Sequence, residues 1–213
     1  MADSYVQIAE GVDFTVTTLG VTFPGNTTTG RLYAAYVWFN SNTVTVISVS
    51  DGTNTLVDSG LGIQRLNSSH SAQMFYLENI TGLTTPTVTV TVSGSVAILA
   101  MAVHEVQGRP TTSALGQKTW NTQNFTGTGT DFVTSGSVTT TTNGEYVFGA
   151  THAEFGSAPT AGTNYTLRST GSQHVYSESL TAGDQVAAGS IAAPFTNADN
   201  DGWITGIKTF KAA

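Results

Sequence analysis

The stretch FTNADNDGWITG near the C-terminus carries oxygen ligands at alternate positions, a pattern that calcium loops share. An EF-hand loop needs oxygen ligands at positions 1, 3 and 5, glycine at position 6 and a bidentate glutamate at position 12. Counting from Asn197, the next ligand positions hold Asp199 and Asp201, and Gly202 takes position 6. Position 12 is Lys208, a cation where the strongest anionic ligand belongs. We therefore predict a turn between two strands, with a low-affinity surface calcium site on Asp199 and Asp201 as the alternative.

The histidines could act as bases or metal ligands, but none lies in a zinc-binding motif. They are His70, His104, His152 and His174. His152 stands two residues before Glu154, so on a strand the two side chains would share a face, as the base and carboxylate of a triad do. The chain holds no G-x-S-x-G elbow that would supply a nucleophilic serine. We predict that His152 is an ordinary surface or core histidine.

Glu78 and Glu178 occupy the same place in two similar segments, YLENIT and YSESLT. Two carboxylates that converge across a cleft can carry out glycoside hydrolysis. Positions related by a repeat need not lie close together, however, so outward-facing solvent residues are the simpler interpretation. We predict that both side chains face solvent. The alternative is a glycan-active hydrolase that uses Glu78 or Glu178.

Aromatic residues in polar segments raise the question of carbohydrate binding, because sugars stack on exposed rings. Trp120 stands in a polar segment next to Asn121 and near Asn124, and Tyr165 lies in a predicted loop of the second half. These four residues form the predicted ligand-binding platform. The alternative is that Trp120 fastens the polar segment onto the rest of the fold.

The elements that would position these residues are strands. Segments with a period of two alternate with glycine, asparagine and serine clusters, and no stretch of ten or more residues holds a helical period. We predict an all-β fold, a jelly-roll-like antiparallel β-sandwich. Strands are predicted near 5–8, 13–19, 31–39, 43–48, 72–78, 87–92, 95–106, 132–139, 145–153, 173–179, 185–191 and 203–210.

Three pairs of segments recur in the same order in the two halves of the chain. YLENIT pairs with YSESLT, GRLYAAYVW with GEYVFGATH, and SGSVAILAMAVHEV with DNDGWITGIKTFKA. This pattern predicts two related Greek-key halves, about 1–106 and 131–213, joined by a polar crossover at about 107–130. Each half would need the other to cover its inner face, so we predict one β-sandwich domain over 1–213. Chance similarity in a biased composition is the alternative.

Charge and composition exclude several functional classes. Of 213 residues only 10% are charged, and the net charge is -7, so no basic face for nucleic acid is expected. The chain has no cysteine, which excludes disulfides and thiolate metal sites. No apolar run is long enough for a membrane span, and the N-terminal segment lacks the pattern of a signal peptide. No cofactor is expected.

The landmarks YLENITGLTTPTVTVTVSGSVAILAMAVHEVQG, GTGTDFVTSGSVTTTTNGEYVFGA and WITGIKTFK, spread over Gly30–Lys211, resemble a jelly-roll-like module of phage virion proteins and bacterial surface proteins. No catalytic motif accompanies this resemblance. It implies a non-enzymatic structural or display protein, such as a capsid decoration or fibre component of a phage virion. Its expected partners are further copies of itself or other virion proteins. The alternative is a carbohydrate-binding or adhesion module of a surface protein, with a surface glycan as partner and an extracellular location.

Overall fold

The computed structural model describes residues 4–66, 69–123, 131–153, 158–169, 174–181, 187–197 and 202–213. These residues form antiparallel strands and loops without any helix, which confirms the predicted all-β class. The described part of the chain therefore contains no helix that could cross a membrane. The strands in chain order are β1 (Tyr5–Thr22), β2 (Leu32–Phe39), β3 (Val46–Ser50), β4 (Val57–Asp58), β5 (Gln64–Leu66), β6 (His70–Leu77), β7 (Thr87–Val106), β8 (Leu115–Gln123), β9 (Asp131–Thr134), β10 (Val138–Thr139), β11 (Tyr146–Ala153), β12 (Thr160–Ala161), β13 (Tyr165–Leu167), β14 (Val175–Leu180), β15 (Ser190–Ile191), β16 (Pro194–Asn197) and β17 (Trp203–Phe210).

The first sheet has the strand order β1-β7-β2-β6-β4, with β3 paired to β7 and β5 paired to β6. β1 and β7 pair along nearly their whole length, and a bulge between Val16 and Thr18 interrupts the register. The alternating segment TVTVTV buries Val88, Val90 and Val92 and leaves the residues between them partly or fully exposed, as its period of two predicts. These valines pack with apolar side chains of β1, β2 and β6 in what we call the first core.

The second sheet has the strand order β13-β14-β11-β17-β8. Two smaller sheets accompany it, β12-β16-β9 and β10-β15. The face of the second sheet that meets them carries a second core, whose buried members are Val133, Val147, Ala193, Phe195, Trp203 and Ile207. Since strands of all these sheets contribute to that cluster, the smaller sheets cover one face of the second sheet.

The two large sheets share one strand order. Reading outward from the middle, β2, β7 and β1 of the first sheet correspond to β11, β17 and β8 of the second, and β6 corresponds to β14. Each predicted repeat pair falls on corresponding strands. Gly30 and Gly144 precede β2 and β11 with φ of 86° and 75°, a backbone that favours glycine. The first residues of these two strands also have corresponding partners: Leu32 of β2 pairs with Val106 of β7, and Tyr146 of β11 pairs with Phe210 of β17.

The two sheets pack on each other through these corresponding faces. We call the buried cluster between them the interface core; it is formed by Leu32, Ala34, Tyr36, Trp38, Leu66, Ala72, Met74, Ala100, Ala102, Val106, Ala114, Tyr146, Phe148, Ala150, Val175, Ile204 and Phe210. On both β2 and β11 every second residue from the start of the strand enters it, as far as Trp38 and Ala150. The two large sheets thus meet through corresponding faces of the corresponding strands β2 and β11.

Some sequence-based expectations differ from the structure. The predicted crossover contains β8, which completes the second sheet; its residues are mostly polar and half-buried, and they show no alternation that would predict a strand. Two predicted pairs of strands, 5–8 with 13–19 and 87–92 with 95–106, are single long strands. The predicted strand 185–191 reduces to Ser190–Ile191 among the described residues.

Candidate functional site

Three of the four histidines gather around one tryptophan between the two sheets. Trp38 and His70 come from β2 and β6 of the first sheet, and His152 from β11 of the second; His174 immediately precedes β14. The Trp38 ring stacks on His152 at 3.9 Å between centroids and lies 5.3 Å from His174 and 5.5 Å from His70. His70 and His152 are 5.3 Å apart. We call these four residues the Trp38 cluster.

Burial sets the protonation of the Trp38 cluster. The pKa of each of its three histidines is lowered from the ordinary value, chiefly because burial disfavours the charged imidazolium. Repulsion from His70 lowers the pKa of His152 and of His174 further. His152 is fully buried, and its Nδ1 lies 3.2 Å from the carbonyl oxygen of His174, to which it donates. Its Nε2 has no hydrogen-bond partner among the described residues. The imidazoles are therefore neutral near pH 7.

Sequence reasoning treated His152 singly and missed the cluster. The signal that could have found it is the repeat itself, because superposing GRLYAAYVW on GEYVFGATH places Trp38 over His152. If two corresponding strands pack through corresponding faces, corresponding residues can meet, as these two rings do. His152 is a core residue, which is one of the two alternatives predicted for it. Glu154, its proposed partner, lies outside the described residues.

The fourth histidine, His104, links the sheets by hydrogen bonds. Its Nδ1 lies 2.8 Å from the Tyr146 hydroxyl and its Nε2 lies 2.8 Å from Ser177 Oγ, so β7 is joined to both β11 and β14. The Ser177 hydroxyl also contacts that of Ser169 at 3.1 Å. A serine beside a histidine imitates part of a hydrolytic dyad, but His104 and Ser177 are both fully buried and burial lowers the His104 pKa to about 3. This arrangement can hold sheets together and cannot receive a substrate.

Lys208 stands at position 12 of the EF-hand pattern, where calcium binding needs a glutamate. Its side chain is fully buried on β17. Its Nζ lies 5.5 Å from the centroid of the Tyr76 ring and has no hydrogen-bond partner among the described residues. Burial holds its pKa well below the ordinary lysine value, so its amine is a poor cation and no calcium ligand. Asp199 and Asp201 lie outside the described residues. Within the described ranges, no three His, Asp or Glu side chains are grouped to hold a metal ion.

The two repeat-related glutamates have different environments. Glu178 is fully buried on β14 opposite Gly149, so the solvent-facing prediction is wrong for this residue. Burial raises its pKa to about 9, and its carboxyl accepts the Gly162 N–H at 3.3 Å. Glu78 lies just past the end of β6 and accepts the N–H of Ala114 at 2.6 Å. The repeat is therefore equivalent strand by strand but shifted in register here, and the two carboxylates do not converge.

The predicted carbohydrate platform is divided between two edges of the second sheet. Trp120 on β8 is half-buried, its ring 5.8 Å from that of Tyr36 and close over Gly206. Tyr165 lies on β13 at the opposite edge, where its hydroxyl donates to the Ala192 carbonyl at 2.6 Å. Four strand spacings separate these edges, roughly 19 Å. Asn121 is exposed beside Trp120, and Asn124 lies outside the described residues, so the structure does not bring the platform together.

One open cleft of about 370 Å³ lies between the loops that precede β2 and follow β6. Its polar groups are largely bonded to each other. The Thr27 N–H donates to the Leu83 carbonyl at 2.9 Å, and the Gly82 N–H donates to Thr29 Oγ1 at 2.9 Å. Beneath it the buried Glu105 carboxylate pairs with Arg31 at 3.0 Å. These contacts fasten two loops and leave no convergent set of ligand-binding groups.

Comparison with known proteins finds no matching protein family, no similar curated protein and no similar solved structure. Function therefore has to be inferred from the residues and surfaces of this chain.

Proposed function

We propose that this protein is a non-enzymatic structural protein, a phage virion component of the decoration or fibre type that acts by self-assembly or surface attachment. The observation that carries this proposal is the outer edge of β1. β1 is 18 residues long, whereas strands in globular proteins usually have 3–10, and among the described residues only β7 pairs with it. An unpaired strand edge is a ready template for pairing with another chain.

Apart from the bulge between Val16 and Thr18 and the acidic Glu10 and Asp13, β1 has few of the features that normally protect an edge. It contains no proline, lysine or arginine, and Phe14 near its middle is 53% exposed. The other outer strands of the large sheets have shorter edges: β3 has five residues, β4 two and β13 three. β8 is flanked by the loop at Gly136, where a Cβ would lie 3.6 Å from the Thr119 side chain. Both faces of each large sheet are covered by the three cores, so edges rather than faces are free for assembly.

The chemistry-bearing side chains support a non-enzymatic role. His104, His152, Glu178 and Lys208 are all fully buried in or beside cores, where a substrate has no access. Their contacts join strands and sheets to each other. A virion location and attachment to other virion proteins are part of the same proposal, for which the resemblance of the repeat landmarks to phage virion modules is the further support.

The test is solution mass by light scattering on a sizing column, with the peak imaged by negative stain. We expect a concentration-dependent oligomer or filament that Phe14→Lys converts to monomer, because a charged side chain on the edge opposes strand addition. Ile47→Lys is the matched control, since Ile47 is 65% exposed but lies on β3. A monomer at every concentration that also fails to bind virion preparations would overturn the proposal. Retardation of such a monomer in polysaccharide gels would favour a carbohydrate-binding module instead.

A further inference from the structure

The Trp38 cluster spans the interface between the two large sheets, so its contacts belong to the joint between the halves of the chain. The rings of Trp38 and His152 stack across that interface with planes inclined by 15°, and His174 faces Trp38 at 14°. His70 completes the group from the first sheet and is 4% exposed. His174 is half-buried and is the most exposed member of the cluster, with its ring 6.4 Å from that of the exposed Phe14.

Few charged groups of the described residues lie on the elements around the Trp38 cluster. On β1, Asp13 is exposed and accepts the N–H of Phe14 at 2.8 Å. On β5, Arg65 is another cation and donates to Ser71 Oγ at 3.0 Å. The neighbours on β7 and β17 are neutral: Ala100 pairs with Trp38, and Ile204 pairs with His152. Glu154, two residues from His152, lies outside the described residues.

Protons bound to this cluster would therefore be placed close together and away from water. Two imidazolium rings about 5 Å apart repel each other, and the repulsion grows as the effective dielectric constant falls. The His152 Nδ1–H is already used by the His174 carbonyl, so a second proton would have to enter at the unpartnered, fully buried Nε2. Each proton is thus accommodated better if the rings separate and water enters the interface.

We infer that the Trp38 cluster is an acid-sensitive joint between the two sheets: it holds them together while its imidazoles are neutral and loosens locally when they take up protons. The interface core beyond the cluster is apolar and keeps the sheets associated when the cluster opens. The sign follows from linkage, because the lowered pKa values mean that the opened state binds more protons than the closed state. The closed state is consequently favoured above about pH 6.5, and its population decreases as the pH falls below that value.

The test follows Trp38 in the full chain carrying Trp120→Phe and Trp203→Phe, so that Trp38 is the only indole that emits. Acrylamide quenching and far-UV circular dichroism are recorded between about pH 8 and about pH 4.5. We expect quenching of Trp38 to rise about twofold or more below about pH 6.5 while the strand signal stays constant. Quenching that stays flat, or that rises only together with loss of the strand signal, would overturn the inference.

Two variants assign the transition to the cluster. His70→Gln combined with His174→Gln leaves only the fully buried His152 to titrate, so the transition should move down by about one pH unit or more. His104→Gln is the control, because His104 lies about 13 Å further along β7 in a separate hydrogen-bond network and should leave the midpoint unchanged. If the variant with Trp38 as its single tryptophan fails to fold, NMR titration of the histidines in the unaltered protein decides. Three independent histidines titrating at ordinary values would contradict the joint.

Discussion

The amine of Lys208 lies in the interface between the sheets without a hydrogen-bond partner among the described residues. A neutral amine there still loses its bonds to water, and a charged one loses far more. We expect Lys208→Met to raise the free energy of unfolding by on the order of 2 kcal/mol at pH 7, because methionine fills similar space without a polar atom. Urea denaturation measures the change. Lys211→Met, at a surface position, should stay within about 0.5 kcal/mol of the parent.

The pH dependence gives a second readout for Lys208. Its pKa is lowered in the folded protein, so the unfolded chain binds more protons below the ordinary lysine value. The contribution of Lys208 to the unfolding free energy should therefore increase as the pH is raised towards about 10.5, so the stability advantage of Lys208→Met over the parent should shrink over that range. A parent and variant with parallel pH curves would show that the amine is solvated or paired.

Glu178 is the acidic counterpart of Lys208. Its folded pKa of about 9 lies above that of the unfolded chain, so the folded protein holds an extra proton and loses stability as the pH rises from about 4.5 to 9. At pH 7 this costs on the order of 3 kcal/mol. We expect Glu178→Gln to be more stable than the parent between about pH 7 and pH 9 and equal to it near pH 4. Glu78→Gln, which weakens the bond to the Ala114 N–H, should instead destabilise by about 1 kcal/mol.

At the scale of elements, β8 and β17 are held together by a tight approach at Gly206. A Cβ at this position would lie 2.6 Å from the Trp120 ring and 2.7 Å from Met74 Sδ. Gly206→Ala should therefore cost about 1–3 kcal/mol through displacement of the ring. Gly189→Ala is the control, since a Cβ there meets nothing within 4 Å. Thermal unfolding separates the two, and equal effects would mean that Trp120 yields without cost.

Coupling between Gly206 and Trp120 sharpens the same test. If the cost of Gly206→Ala comes from the ring, it should shrink in a Trp120→Leu background, because the smaller side chain leaves room for the new methyl group. Additive effects of the two substitutions would place the cost elsewhere on β17.

The sequence predicts elements in this protein better than it predicts their side-chain environments. The strict alternation of TVTVTV and the repeat between GRLYAAYVW and GEYVFGATH are local patterns, and both correspond to observed strands. β8 escaped prediction because its residues are polar, and its strand conformation comes from pairing with β17. Histidines 70, 152 and 174 are distant in sequence, so only the packing of the two sheets brings them together.

The same limit explains the candidate sites. Trp120 and Tyr165 looked alike as aromatic residues in polar segments, but strand order puts them at opposite edges of one sheet. Glu178 was predicted to face solvent because repeat-related carboxylates need not converge, yet both faces of β14 are covered. Burial of this kind depends on the layers that pack on a strand, so the local sequence pattern does not predict it.

At the scale of the whole molecule, the interface core should make the two halves unfold together. It is one continuous apolar cluster supplied by both large sheets, and the Tyr36 hydroxyl crosses it to donate to the Ile204 carbonyl at 2.7 Å. Separating the halves would expose the inner faces of both sheets at once. We expect a single calorimetric transition at pH 7 whose calorimetric and van't Hoff enthalpies agree.

Tyr36→Phe tests the link without emptying the core. The variant loses one buried hydrogen bond and leaves the Ile204 carbonyl unpaired, so it should lower the unfolding free energy by about 1–2 kcal/mol while keeping one transition. Tyr165→Phe is the matched control, because its hydroxyl bonds the Ala192 carbonyl within the second half. If the halves are one cooperative unit, both variants lower the same single transition. Two resolved transitions, with only the second-half transition shifted by Tyr165→Phe, would mean that the interface is too weak to couple them.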